Sequence, residues 1–426
     1  MSDTEKSIQD CRINPQRLMH RLHELARIGQ NDQGGINRQL ASPADGEARQ
    51  WLVDCWQQEL GLDVKLDAIA NLWGIASNPS RLPPIVIGSH HDTVPDGGAF
   101  DGALGVLMAT EVLQTLQENH VKLRHPVQLV SFTGEEPNDF SVSTLGSKVL
   151  CGRLGAVDLA KMQHRLTGES LGHAIQRLGG DIQAAADARL HRGQIAAFLE
   201  CHIEQGRRLF ERHKSVAAVT CITGIYREII VVNGEANHAG TTRPADRQDA
   251  LTAAAEIILA AEAIMRMPDL TDVALTIGHI EVEPNASNII PGEVRLSLDL
   301  RTAFTPKRQQ ALQKLNSFIE DIQQRRHIRI DRLPDLDQPE MPMDSQIIQA
   351  VNDAMDSLGE PRQELVSMAG HDAANMARIT KAGMLFVQSI DGYSHCPRER
   401  TNDTDIARTA QVMLQTIGLI DRRLNE

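Results

Sequence analysis

Two short apolar runs in this chain each lead straight into a cluster of imidazole or carboxylate side chains, and that pairing constrains the fold more than any other feature. Ile85-Val86-Ile87 runs through Gly88-Ser89 into His90, followed by His91-Asp92-Thr93-Val94. Val127-Gln128-Leu129-Val130-Ser131-Phe132 runs through Thr133-Gly134 into Glu135-Glu136. Such runs read as strands, and the polar residues past them stand at strand carboxyl ends, where active sites of α/β proteins form. Between the two, Phe100-Asp101-Gly102 opens a helix. With His202 and His395 further on, His90, Asp101 and Glu136 read as one site for two metal ions, because imidazole and carboxylate suit a borderline metal such as zinc. Water held by such ions is a nucleophile at neutral pH. The pattern points to metal-dependent hydrolysis.

The chain alternates strand and helix signals, which predicts an α/β protein. Helices are expected over Pro15 to Ile28, Asp45 to Leu60, Ala103 to Glu118 and Ser345 to Leu358. Val64 to Ile75 reads as a strand-like segment, and Gly168 to Gln194 as helical and polar. Ala196 to Glu200 is a buried strand feeding His202, and Gly383 to Ile390 a strand leading towards His395.

Between about Val216 and Pro334 the pattern becomes that of a self-contained unit. Strands are expected over Tyr226 to Val232, Val273 to Val282, Val294 to Arg301 and His327 to Leu333, with helices over Arg247 to Met265 and Pro306 to Arg325. The order βαββαβ is the ferredoxin-like arrangement. The expected domains are a discontinuous catalytic domain, residues 1–215 and 335–426, with a mixed sheet flanked by helices, and an inserted lid or dimerisation domain, residues 216–334.

Composition excludes several classes. The 426 residues suffice for two domains. With 41% hydrophobic and 23% charged residues, a large core is expected and disorder is not. A formal net charge of -13 argues against nucleic acid as a partner. No stretch approaches the roughly 18 apolar residues of a membrane span, and Met1 to Lys6 lacks the pattern of a signal peptide. Cys11, Cys55, Cys151, Cys201, Cys221 and Cys396 show no paired spacing and read as reduced thiols of a cytoplasmic protein. Cys201 and Cys396, each beside a candidate histidine, read as packing residues.

Each candidate also has a bland reading. A lone histidine at a strand end is more often a surface residue than a ligand, although Asp92 can buttress the His90 ring. Asp101 can simply cap the helix from Ala103. Arg301 can be a surface strand residue, and Asn288 can make the turn before Pro291.

Taken together, the motifs match a family. The chain resembles the dinuclear-metal amidohydrolases that include N-carbamoyl-L-amino acid hydrolase, allantoate amidohydrolase and β-alanine synthase, relatives of aminoacylase-like metallopeptidases. The likeness runs from about His20 to Leu419. It rests on Gly88 to Val94, Gly97 to Gly102, Glu135-Glu136, His202-Ile203-Glu204-Gln205-Gly206, Asn237 to Thr242, Asn288 to Gly292, Asp299-Leu300-Arg301 and Gly370-His371-Asp372-Ala373. The resemblance implies that Asp101 bridges two divalent ions per subunit. His90 and His202 complete one shell, and Glu136 and His395 the other. Zinc is the first expectation, with manganese, cobalt or nickel as alternatives. It further implies Glu135 as general base, Asp92 as the residue orienting His90, His238 as oxyanion donor, and Asn288 and Arg301 as holders of a substrate carboxylate. Gln205 and His371 would line the same pocket.

Three departures stand out. His91 occupies a position that is commonly aliphatic, Pro137-Asn138-Asp139-Phe140-Ser141 replaces a Gly-Ser-Arg-Phe-like run, and Cys396 stands where serine is usual. The expected function is hydrolysis of a non-peptide C–N bond in a small carboxylate-bearing molecule. An N-carbamoyl-L-amino acid or related ureido acid comes first, with allantoate, or an aminoacylase or dipeptidase substrate, as alternatives. The expected assembly is a homodimer.

Overall fold

Among the described residues, 7–77 and 80–424, the computed structural model is built around a mixed sheet with four parallel central strands. Their order is Val127–Phe132, Ile85–His90, Ala197–Ile203, Lys381–Val387. Leu72–Ile75 and Val216–Ile222 flank them, both antiparallel. Every residue of Ile85–His90 and Ala197–Ile203 is buried. Parallel strands covered by helices on both faces bury both sets of side chains.

The helix Ala103–Glu118 joins the first two of these strands in chain order and is buried along nearly its whole length. Pro15–Arg27 starts on an Asn14 cap with proline at its first position, and turns Leu18, Leu22 and Leu25 into the core. Ser345–Ser357 and Asp403–Arg423 add Ile347, Val351, Met355, Ile406, Met413 and Ile417 to the same cluster. Each such burial stabilises by about 1.5–3 kcal/mol. From Ile85–His90 the chain moves to one side of the sheet for Val127–Phe132, and later fills the other side with Ala197–Ile203. That reversal opens a crevice at the carboxyl ends of the strands.

Two segments differ from expectation. Val64 to Ile75 is two strands, Asp63–Leu66 and Leu72–Ile75, folded back on each other. Asp67 makes the turn by accepting the backbone N–H groups of Ile69 and Asn71 and the Trp73 indole N–H. Gly168 to Gln194 contains only the short helix Leu171–Arg177 and a single 3-10 turn, Ile182–Ala184. Gly179, at φ +90°, ends the helical run.

A first compact unit takes the chain up to Thr220, Pro342–Leu365, and from Gly370 on. Val216–Thr220 stays with it because Val216, Ala217, Ala218 and Val219 pair with Lys381–Val387. The second unit is Cys221–Met341 with Val366–Ala369. Its sheet order is Arg329–Gln338, Gly224–Asn233, Glu293–Thr302, Ala274–Glu283, antiparallel throughout. With the helices Ala250–Met265 and Thr305–Arg326 this is the βαββαβ ferredoxin-like order. Both helices cover one face, where Ile257, Ile264, Leu315 and Ile319 meet Ile230, Val294 and Leu296.

No helix among the described residues is long and apolar enough to cross a membrane. Among the described residues the cysteines form no disulfide with one another. The N-terminal reading rests on Met1 to Lys6, which lie outside the described residues.

Candidate functional site

The first unit gathers His90, Asp101, Glu136, His202 and His395 at the carboxyl ends of the parallel strands. His90 ends its strand, and the offset that pairs Ile85 with Ala197 brings it level with His202, with ring centroids 5.7 Å apart. Asp101 reaches them from the turn before Ala103–Glu118. That turn needs Gly102, which has φ +63° and lies so close to His90 that a Cβ there would overlap the imidazole.

Asp101 faces both sides. Its Oδ1 lies 3.0 Å from His202 Nε2 and 3.6 Å from His90 Nε2. Its Oδ2 lies 3.3 Å from His395 Nε2. Glu136 Oε1 is also 3.3 Å from His395 Nε2. The result is two three-residue groups, His90–Asp101–His202 and Asp101–Glu136–His395, each with its donor atoms within 4.8 Å of one another. The His395 side chain is 45% exposed, so the second group is reached from solvent.

The donor set fits a divalent cation. His90 Nδ1 pairs with the Asp92 carbonyl at 3.1 Å, and His202 Nδ1 with the Ile203 carbonyl at 3.0 Å. A carbonyl only accepts, so each Nδ1 carries a hydrogen, and in the neutral ring each Nε2 turns a lone pair towards Asp101. A lone pair against a carboxylate is tolerable only with a proton or a cation between them. His90 Nε2 and Glu136 Oε1 are both buried without a hydrogen-bond partner. The imbalance appears in the acidities too. Burial alone would depress the His90 and His202 basicities, but neighbouring carboxylates raise both: Glu135, Asp92 and Asp101 for His90, and Asp101 for His202. His395, facing Asp101 and Glu136, is pushed up to about 11. Such a set releases protons when a metal binds.

Glu135 stands beside this cluster, its Oε2 3.7 Å from His90 Nε2. Burial raises its pKa well above the usual carboxylate range, against the pull of His90, and Glu136 and Asp372 add to the rise. Asp92 lies under both glutamates, and its oxygens accept the backbone N–H of Glu135 at 3.2 Å and of Glu136 at 3.1 Å. The Gln205 amide donates to Asp101 Oδ2 at 2.8 Å and to Ser394 Oγ at 3.1 Å. Gln205 and His395 both hold left-handed backbone, each at φ +56°, a conformation non-glycine residues adopt where their surroundings impose it. His371 is buried edge-on to His202, with centroids 4.4 Å apart, and burial keeps its imidazole neutral by pushing its pKa well down.

His238, Asn288 and Arg301 belong to the second unit. The ladder of Asn237–His238 with Ile289–Ile290 brings His238 beside Asn288, whose carbonyl accepts the Ala239 N–H at 3.0 Å. His238 Nδ1 accepts backbone N–H groups from Gly240 and Thr241, which leaves an N–H at Nε2 of an exposed ring. Arg301 is already engaged. Its Nε and Nη2 meet the two oxygens of Asp299, and Nη1 donates to the Met368 carbonyl.

His91 turns away from the cluster. Its ring nitrogens meet Ser131 Oγ at 2.7 Å and Asp45 Oδ1 at 2.8 Å, which makes it a buried strut. Cys201 sits in the apolar core. Sequence reasoning missed Glu200, which accepts from Ser89 Oγ and the Ala373 N–H, and Glu399, which accepts the N–H groups of Phe100 and Asp101. Neither lies in a run that signals a role.

Residues 86–418 match the model of peptidase family M20/M25/M40. Over 410 residues the chain is 36% identical to an N-carbamoyl-L-amino acid amidohydrolase from Geobacillus stearothermophilus, covering 95% of this chain and 98% of the relative. It is also 36% identical over 385 residues to an allantoate amidohydrolase from Bacillus subtilis (strain 168), covering 89% and 91%. The solved structure of an amidase of the hydantoinase/carbamoylase family from Burkholderia multivorans superposes with a TM-score of 0.86 at 29% identity, over 96% of this chain and 98% of that one. With more than half its length matched by the family model and relatives that align nearly end to end, the chain belongs to peptidase family M20/M25/M40, beside its carbamoyl amino acid and allantoate amidohydrolases.

Proposed function

We propose that the chain hydrolyses non-peptide C–N bonds in small carboxylate-bearing ureido compounds, first among them N-carbamoyl-L-amino acids. The products would be the free amino acid, ammonia and carbon dioxide. The observation that carries this reading is the single Asp101 carboxylate shared by two three-residue groups, with a spare buried carboxylate, Glu135, beside them.

In this reading His90, Asp101 and His202 hold one divalent ion and Asp101, Glu136 and His395 a second, zinc before manganese, cobalt or nickel. Ions held there would supply Lewis acidity and a supply of hydroxide at neutral pH. Glu135 takes the proton of the attacking water and returns it to the leaving nitrogen. Its raised pKa suits both halves of that transfer. Asp92 orients His90 and fixes the backbone of the glutamate pair. From the second unit, the outward N–H of His238 stabilises the developing oxyanion, while Asn288 and Arg301 hold the substrate carboxylate. Because Asp299 occupies one edge of the Arg301 guanidinium, the substrate would take the edge formed by Nη1 and Nη2. Gln205 and His371 line the pocket. The enzyme works as a cytoplasmic homodimer that pairs through the second unit.

A second reading, allantoate as substrate, is supported by the equal identity to the Bacillus subtilis relative. The deciding experiment compares turnover after reconstitution with each metal, read by ammonia release for N-carbamoyl amino acids and allantoate and by release of free amino acid for dipeptides. Fastest turnover of an N-carbamoyl-L-amino acid supports the first reading, and fastest turnover of a dipeptide refutes both.

A further inference from the structure

Glu399 is a buried carboxylate that none of the foregoing chemistry uses. It lies four residues beyond His395, and its side chain crosses to the loop that carries Asp101. Its Oε1 accepts the backbone N–H of Phe100 at 2.8 Å and that of Asp101 at 3.0 Å. The residue is 4% exposed, and Oε2 is buried without a hydrogen-bond partner. A charged or polar group of this kind costs free energy to bury, so its place demands a return.

The opposing wall is shaped to admit it. A Cβ added to Gly98 would overlap the Glu399 carboxyl group and come within 2.5 Å of the Glu399 Cβ. The second contact matters most, because a Cβ cannot swing aside as a chain end can. Glycine in Gly97-Gly98-Ala99-Phe100-Asp101-Gly102 is thus explained by the approach of a residue some 300 positions away (separation 299 from Phe100).

We propose that Glu399 is a positioning residue that locks the Asp101 loop to the His395 segment, and so holds together the two parts of the group formed by Asp101, Glu136 and His395. This rests on the reading of Asp101 as a shared metal ligand. Two amide hydrogen bonds to one carboxylate oxygen fix the peptide that carries the Asp101 side chain. The same glutamate belongs to the loop that delivers His395. Residues that hold ligands in place this way typically govern metal affinity by 10–100-fold.

The test is metal binding, measured by titration of the chelated, refilled protein together with elemental analysis, on Glu399→Gln, Glu399→Ala, Gly98→Ala and Asp101→Asn. Glutamine keeps an oxygen for the two amides, so Glu399→Gln should bind within about threefold of wild type. Glu399→Ala and Gly98→Ala should each weaken the lower-affinity ion by at least about 10-fold, with folding checked by circular dichroism and activity recovered in excess metal. Gly98→Ala reaches the same contact from the opposite side, so the test survives if Glu399→Ala does not fold. Wild-type affinity in Glu399→Ala or Gly98→Ala overturns the proposal. So does equal loss in Glu399→Gln and Glu399→Ala, because charge rather than amide acceptance would then be at work. If Asp101→Asn keeps full metal content, the reading of Asp101 as a ligand is itself wrong and the proposal falls with it. If Asp101→Asn loses metal while the Glu399 and Gly98 variants do not, only the positioning role fails.

Discussion

Asp92 Oδ1 accepts the backbone N–H of Glu135 at 3.2 Å, while the same oxygen stands 3.5 Å from His90 Nδ1. One carboxylate therefore touches the segment of the proposed base and a proposed ligand at once, and its other oxygen takes the Glu136 N–H. Asp92→Ala should lower metal affinity and kcat by about 10–100-fold each, as loss of a residue supporting ligands does. Asp92→Asn keeps one acceptor oxygen and should recover part of both. Metal titration and steady-state kinetics on the two variants decide it. Unchanged metal affinity in Asp92→Ala would remove Asp92 from the site.

Asp45 gives a pH dependence that does not involve the reaction. Burial pushes its carboxyl up, but the Arg49 guanidinium, the His91 imidazole and the Ala41 N–H outweigh burial and hold it at about 2, against an ordinary 3.8. A depressed carboxyl contributes stability that is complete above its unfolded pKa and lost as pH falls through its folded one. The difference corresponds to roughly 2 kcal/mol, about half of it gone by pH 3. Urea unfolding of the chelated protein between pH 6 and 3 should therefore fall more steeply for wild type than for Asp45→Asn. Parallel curves would contradict this.

How much of this was legible in the sequence follows from distance along the chain. His90 and the Glu135-Glu136 pair each follow an apolar run directly, and Asp101 and Gly102 stand next to the helix they open. Local pattern sufficed to single them out. The βαββαβ order was equally legible, because each element carries its own periodicity. What escaped depends on contacts between distant segments. The Asp45 partner of His91, the Glu200 bond to Ser89 and the Glu399 bonds to Phe100 and Asp101 span 46, 111 and about 300 residues. Asp299 on Arg301 escaped for another reason, since residues two apart on a strand share a face but nothing in the sequence says that they pair.

In the proposed reading Arg301 governs substrate choice. Loss of one charge-assisted pair with a buried carboxylate costs roughly 2–5 kcal/mol. Arg301→Ala should lower kcat/KM for an N-carbamoyl amino acid by about 10²-fold or more, and change little for the matching amide. Equal losses on both substrates would show that Arg301 serves the fold through Asp299 instead.

The proposed homodimer gives a mixing test. His238→Ala and Glu135→Gln subunits, each inactive alone, should regain part of the activity once they exchange, if His238 serves the site of its partner. A monomer with full activity in sedimentation velocity would rule this out.

The central claim is that Glu135 acts as base beside metal ions it does not bind. Glu135→Gln should retain the wild-type metal content by elemental analysis, and kcat for ammonia release from an N-carbamoyl-L-amino acid should drop by at least about 10²-fold, the scale of a positioned general base. Full activity in Glu135→Gln, or in wild-type protein shown to be free of metal, would contradict it.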